Sequence, residues 1–259
     1  MFDPFFLKIF FVAIFLGFLA GPFGTVVVWQ RMALMGDMLS HSAILALVLA
    51  HFSSLPLLVI YLIFSSILGL IFHYLRFQKY HPEQLMMVLS YAALSIGIIC
   101  VSKLQLQTIK FNQILFGDLL SISGEDIFWM IGGGIFLLAN FIAIWKPLLL
   151  MTFHEELARV EGVPVGFLKG ILTVLLGGVI ALSIKIAGAL LIVGLLIVPS
   201  LSAVRLSRTP EGMVIRSSIF GAISAAGGCI CSFYFDWPIG PAIICVSFGI
   251  FCLTLLRKN

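Results

Sequence analysis

The first long apolar stretch of the chain, residues 5–28, reads FFLKIFFVAIFLGFLAGPFGTVVV. It contains one charged residue, Lys8, and it exceeds the roughly 20 apolar residues that a helix needs to cross a bilayer. It flows into Gly21-Pro22 without a small-residue cleavage site, so it lacks the form of a removable secretory signal. The pattern predicts a first membrane-spanning helix that is broken at Gly21-Pro22.

The composition extends this prediction to the whole chain. Of the 259 residues, 61% are apolar and only 10% are charged, whereas a soluble domain is about a quarter charged. The chain is therefore predicted to be a multi-pass membrane protein. Its net charge of +4 comes from Lys and Arg residues in short loops, which set orientation in a membrane. That charge does not indicate nucleic-acid binding.

Apolar runs recur along the sequence at lengths suited to membrane spans. They lie at about residues 5–28, 37–53, 55–75, 84–102, 126–147, 166–184, 186–204, 214–234 and 242–256. Basic loops alternate with less basic ones, which places the C-terminus inside and the N-terminus outside if all of these runs cross the bilayer. One short run could instead be re-entrant. We therefore predict an all-α bundle of eight or nine transmembrane helices that forms a single domain, residues 1–259.

A small set of ionisable residues inside the apolar runs indicates a metal site, because such residues are costly there and are usually functional. Asp37 and His41 are four residues apart, and on a helix this spacing puts both side chains on one face. A carboxylate and an imidazole brought together could bind a divalent metal ion. Asp118 is a third candidate, because the interrupted apolar segment around it would line a cavity.

Other interpretations of these residues stay open. Asp37 stands at the start of its apolar run, where an aspartate commonly caps a helix. The Gly-Asp pairs at 36–37 and 117–118 also suggest an intramembrane aspartate protease, but the additional glycine that this chemistry uses is replaced by Leu34 and Leu115. An Asp/His group could equally serve as a proton or cation relay in an ATP-independent secondary transporter or channel.

The longest polar insert, about residues 151–165, predicts a short amphipathic helix that ends at Gly162. Glu155 and Arg159 are spaced to form an ion pair within it. Such a helix is either ordinary surface structure between spans or a docking element for a cytosolic partner. No phosphate-binding loop occurs in the sequence, so any ATP used must be hydrolysed by another chain.

Several segments together resemble the membrane permeases of bacterial zinc, manganese and iron ABC importers, with the zinc branch most similar. They are Gly21-Pro-Phe-Gly24, Met35-Gly-Asp-Met-Leu-Ser-His41, Leu115-Phe-Gly-Asp-Leu-Leu120 and Gly188-Ala-Leu-Leu-Ile-Val-Gly-Leu-Leu-Ile-Val-Pro199. The resemblance runs in order from about residue 15 to residue 250. It implies a permease of the bacterial inner membrane that is not itself an enzyme.

The resemblance also implies the partners. The permease would be a homodimer in membrane lipid, and a periplasmic or extracellular metal-binding protein would deliver the ion. Two cytosolic ATPase subunits would dock on the coupling segment, about residues 151–165. In that segment Glu156-Leu-Ala158 followed by Gly162 is similar to the Glu-Ala-Ala-any-any-any-Gly loop of importer permeases, and Glu155 stands beside it.

The same resemblance implies a metal pathway through Asp37 and His41, extended to Asp118. The Phe116-Gly-Asp118 sequence, where manganese-type relatives have Phe-Gly-Asn, favours zinc over manganese or ferrous iron. The expected mechanism is alternating access at the homodimer interface. This chain would bind no cofactor of its own, since ATP acts through the partner subunits and the metal ion is the transported substrate.

Overall fold

The structure, a computed structural model, describes residues 4–53, 57–75, 81–104, 117, 122–189 and 192–256. Within these ranges the regular elements are helices and no strand occurs, which confirms the all-α prediction. The described helices are α1 (Pro4–Trp29), α2 (Ala33–Phe52), α3 (Leu57–Leu75), α4 (Pro82–Lys103), α5 (Gly124–Ala143), α6 (Trp145–Phe153), α7 (Glu155–Val160), α8 (Val165–Ala187), α9 (Ile192–Val204), α10 (Pro210–Phe235) and α11 (Ile239–Leu256).

Seven of these described helices are long and apolar enough to cross a membrane, namely α1, α2, α4, α5, α8, α10 and α11. Two more, α9 and the segment Leu57–Phe72 of α3, are apolar but shorter. The two sets together follow the predicted apolar runs in order, so the chain is a multi-pass membrane protein. The count of eight or nine spans stays a prediction, because it depends on whether both shorter helices cross the bilayer.

The predicted break at Gly21-Pro22 is wrong, because α1 continues through it as one helix. Pro22 removes one backbone donor from the helix, but side-chain hydroxyl groups make hydrogen bonds at this turn. Thr25 Oγ1 donates to the Pro22 carbonyl at 2.6 Å, and Ser217 Oγ of α10 donates to the Gly21 carbonyl at 3.1 Å. The first of these bonds lies within α1, and the second joins α1 to α10 at the turn that contains Pro22.

By its internal contacts the chain divides into two compact units. The first comprises Met1–Ala33, Gln107–Gly134 and Leu182–Asn259, and the second comprises Leu34–Leu106 and Ile135–Ala181. The first unit therefore contains α1, α9, α10 and α11, whereas the second contains α3, α4, α6, α7, most of α8 and all of α2 except Ala33.

The first unit is built on close contacts between small residues of α1, α9 and α10. Gly17 of α1 and Gly221 of α10 lie backbone to backbone, so a Cβ atom on either would collide with the other's carbonyl oxygen. Gly24 is equally close to the carbonyl of Leu196 in α9. Small residues at helix contacts let membrane helices approach closely without a hydrophobic driving force.

We expect Gly221→Leu to destabilise this unit strongly, by about 3 kcal/mol, because the new side chain has only rigid backbone to displace. The measurement is the unfolding temperature of the purified protein in detergent. Gly249→Leu in α11 is the matched control, since nothing lies within 4 Å of its Cβ position. Equal unfolding temperatures for the two variants would contradict the close contact.

In the second unit α3 contacts both α2 and α8. Tyr61 of α3 is buried and its hydroxyl donates to the Leu39 carbonyl of α2 at 2.9 Å. On α8, Gly177 is so close to α3 that a Cβ atom there would come within 2.7 Å of Ser65 Oγ. This unit therefore positions α2, which carries the predicted metal ligands, through its neighbours.

Candidate functional site

The interpretation of Asp37 as a helix cap is wrong, because α2 begins at Ala33 and Asp37 lies inside it. The connection from α1 is a tight turn in which Met32 N–H donates to the Val27 carbonyl at 3.0 Å. Arg31 takes a left-handed backbone conformation there, with φ of 54°. Because this turn finishes at Met32, the good helix formers that follow start α2 one turn earlier than predicted.

Asp37 and His41 occupy successive turns of α2, as their spacing predicted. Both side chains are half-buried, and their four-residue spacing puts them on one face of the helix. The Nδ1 atom of His41 lies 2.8 Å from Ser90 Oγ on α4, which is a hydrogen-bond distance. The structure thus brings together one carboxylate and one imidazole, and it adds a hydroxyl group from a neighbouring helix.

The turn of α2 between these two residues is held by α3. The carbonyl of Leu39 accepts the Tyr61 hydroxyl at 2.9 Å and the Ser42 hydroxyl at 2.5 Å. Sequence reasoning missed both Tyr61 and Ser90, since neither stands in a motif or at a helical spacing from Asp37 or His41. For Tyr61 there was a signal that could have been used, because a tyrosine inside an apolar run usually finds a hydrogen-bond partner when buried.

The described part of this chain brings few metal-ligating side chains together. Among the residues that the structure describes, no three His, Cys, Asp or Glu side chains lie close enough together to hold a metal ion. Zinc usually takes four ligands. Asp37 and His41 could therefore provide two of them, and the remainder must come from water, another chain or residues outside the described ranges.

Asp118, the third predicted ligand, lies outside the described residues. Its neighbour Gly117 is described, and it has a positive φ of 75°. A Cβ atom on Gly117 would collide with the carbonyl oxygen of Ile186. Glycine is therefore required in front of Asp118 by the backbone, whatever the role of the carboxylate.

The predicted amphipathic helix of the polar insert is confirmed as α7, Glu155–Val160. Its predicted ion pair also forms, with Arg159 Nη2 at 2.7 Å from Glu155 Oε1. Gly162 ends the helix in the left-handed region, with φ of 79°, as a glycine after a helix commonly does. Val160 presents 84% of its surface to the exterior, so the apolar edge of α7 is open to a partner.

A second cation on Glu155 was not predicted. Lys169 Nζ of α8 lies 2.6 Å from Glu155 Oε2, and the Lys169 side chain is only 15% exposed. The hydrogen bond from Lys169 and that from Arg159 hold the pKa of Glu155 below its usual value, against the opposing effect of partial burial. The pair therefore stays ionised at neutral pH and is lost only as the pH falls through that lowered pKa. It joins α7 to α8. The two residues lie on different helices, so helical spacing could not predict the contact.

Comparison with known proteins places the chain among membrane transport proteins. The sequence matches the model of the ABC 3 transport family over residues 2–258. The high-affinity zinc uptake system membrane protein ZnuB of Haemophilus influenzae is 35% identical over 95% of both chains. The manganese transport system membrane protein MntC of Halalkalibacterium halodurans is 30% identical, over 93% of this chain and 83% of that protein.

A solved structure has the same fold. PsaBC from Streptococcus pneumoniae, in complex with Fab, superposes with a TM-score of 0.91 at 27% identity, covering 99% of this chain and 93% of that chain. The resemblance noted from the sequence is confirmed by these matches. The chain belongs to the ABC 3 transport family.

Proposed function

We propose that this chain is the membrane permease of an ATP-driven importer that carries a divalent transition metal ion, zinc by preference, into the cytoplasm. The observation that carries the proposal is the pair Asp37 and His41 on one face of α2, with α2 held by hydrogen bonds to α3 and α4. Family membership makes the chain a transport subunit rather than an enzyme. ATP hydrolysis belongs to a separate subunit, and residues 1–259 would form a single permease domain.

Asp37 and His41 would act by replacing water molecules around the passing ion with one oxygen and one nitrogen ligand. Two copies of the chain in a homodimer would contribute two such pairs, which together match the four ligands that zinc prefers. Asp118 remains a further candidate on the metal pathway. None of the proposed ligands is a thiolate, so the ion would be held loosely enough to leave again when alternating access opens the other side.

The ATPase subunits would dock on α7 and its flanks, through Glu155, Glu156 and Gly162. Ala158, the fourth residue of the proposed coupling set, is fully buried. Its role would therefore be to let α7 lie against its own unit, while the exposed Val160 and Leu157 meet the ATPase. A metal-binding protein outside the cell membrane would deliver the ion to the opposite face.

Zinc is preferred because of two features. The relatives include a zinc uptake protein at 35% identity and a manganese transport protein at 30% identity. The Gly117-Asp118 sequence adds an acidic residue where manganese-type relatives would have an amide. An imidazole and carboxylate set also suits manganese and ferrous iron.

The test is metal uptake by lipid vesicles that contain the permease, its ATPase and its binding protein. We expect zinc uptake to require ATP. We also expect it to exceed the uptake of manganese and of ferrous iron when each ion is supplied at the same free concentration. Uptake that prefers manganese would reassign the metal. Zinc uptake at full rate without the ATPase subunit would contradict the importer and would favour a secondary transporter or a channel.

A further inference from the structure

The buried hydroxyl of Ser90 contacts His41, and the proposed function assigns it no role. Ser90 lies on α4, only 4% exposed, and its Oγ is 2.8 Å from His41 Nδ1. The contact joins residues 49 positions apart in the sequence, so it is made by the packing of α4 against α2 and not by local chain geometry.

We propose that Ser90 is a positioning residue that fixes the ring orientation of His41 and leaves its Nε2 atom for the ion. A neutral imidazole has one N–H and one nitrogen lone pair, and a metal ion binds only at the lone pair. With Nδ1 engaged by Ser90, Nε2 is the nitrogen left to bind the ion. When the ion occupies Nε2 the ring proton lies on Nδ1, which then donates to Ser90 Oγ. This inference rests on the proposed function of His41 as a metal ligand.

The surrounding packing makes this hydrogen bond a fixed feature of the unit. Farther along the same two helices, a Cβ atom on Gly97 of α4 would come within 2.9 Å of Ile44 Cγ2 on α2. The distance between α2 and α4 is therefore set by a close contact near His41. On the preceding turn Tyr61 of α3 holds the Leu39 carbonyl. α2 is thus fixed through its backbone by α3, while the imidazole is fixed through its side chain by α4.

A hydroxyl group as the hydrogen-bond partner of His41 suits a transport site better than the carboxylate that many metal-bound histidines have as their partner. A carboxylate partner raises the basicity of the imidazole and strengthens metal binding. A neutral hydroxyl orients the ring without adding a second negative charge. Ser90 would therefore give His41 a defined direction while leaving the ion free to dissociate.

The experiment measures zinc binding to the purified permease complex in detergent, by calorimetry. We expect Ser90→Ala to weaken zinc binding about ten- to hundredfold, the usual effect of losing the partner of a metal-bound histidine. Ser90→Cys keeps nearly the same volume but offers only a weak acceptor, so it should also lose affinity. Ser65→Ala is the matched control, because Ser65 is equally buried in the same unit and its hydroxyl donates to Leu62 of its own helix.

A second measurement separates positioning from ordinary packing. We expect zinc-free Ser90→Ala to remain folded at the temperature of the binding assay, with only the small drop in unfolding temperature that loss of one buried hydrogen bond causes. Wild-type zinc affinity in both Ser90 variants would overturn the inference, as would an equal loss of zinc affinity in Ser65→Ala. If His41→Ala also kept wild-type affinity, the metal site itself would be wrong. If only His41→Ala lost affinity, the role of Ser90 alone would fail.

Discussion

Asp37→Ala and His41→Ala should each abolish ATP-driven zinc uptake while the permease still assembles with its ATPase. Each change removes one of the two proposed metal ligands on α2. Loss of an outer partner of a metal ligand already costs about ten- to hundredfold in affinity, so loss of a ligand should exceed about a hundredfold. Uptake into vesicles and co-purification with the ATPase are the two measurements.

Matched controls exist for both substitutions in the same unit. His51→Ala changes an exposed histidine at the far end of α2, and Glu83→Ala changes an exposed carboxylate in the first turn of α4. Both controls should transport zinc normally. Wild-type uptake by Asp37→Ala and His41→Ala would show that the ion does not pass between these side chains.

Reversing the charge of Glu155 should uncouple ATP hydrolysis from transport. Glu155→Lys would bring three positive charges together, because Glu155 contacts both Lys169 and Arg159. We expect uptake to fall at least about tenfold. A pair with a partly buried partner costs far more to break than an exposed one. The measurement compares zinc uptake with ATP hydrolysis in the same vesicles.

The pair exchange Glu155→Lys with Lys169→Glu provides the decisive control. It restores opposite charges at the contact between α7 and α8, so uptake should recover in part, with Arg159 now facing a like charge. Arg159→Ala alone should have little effect, since that side chain is 65% exposed. If the exchange gives no recovery, Glu155 acts on the ATPase directly and not through Lys169.

The physical reason for this expectation is the arrangement of the second unit. Lys169 fastens α7 to α8, and farther along α8 Gly177 lies against Ser65 of α3. Tyr61 of α3 in turn holds the carbonyl of Leu39 on α2. A displacement of α7 therefore has a continuous series of close contacts through which to reach the helix that carries Asp37 and His41.

The sequence predicted the membrane helices well because the bilayer imposes their length and polarity directly. It failed at two points, the predicted break in α1 and the start of α2. α1 continues through Pro22, and at that turn Ser217, 196 positions away, donates its hydroxyl to the Gly21 carbonyl. α2 starts before Asp37, because the turn that ends at Met32 lets the helix begin at once.

In the candidate site, too, local features could be predicted from the sequence and contacts between helices could not. The spacing of Asp37 and His41 is local, so it could be read from the sequence. The contacts of Ser90, Tyr61 and Lys169 join different helices, so the residue pattern of a single helix does not predict them. The role of Asp118 stays a prediction, since that residue lies outside the described ranges.

The hydrogen bond from Tyr61 to Leu39 has an evolutionary consequence. It holds α2 by a backbone carbonyl, so it does not depend on which side chains stand at positions 37 and 41. Residues at those positions could be exchanged by point mutation without losing the contact between α2 and α3. A new metal preference could therefore arise in such a chain through changes on two successive turns of α2, while the contact between Tyr61 and Leu39 is kept.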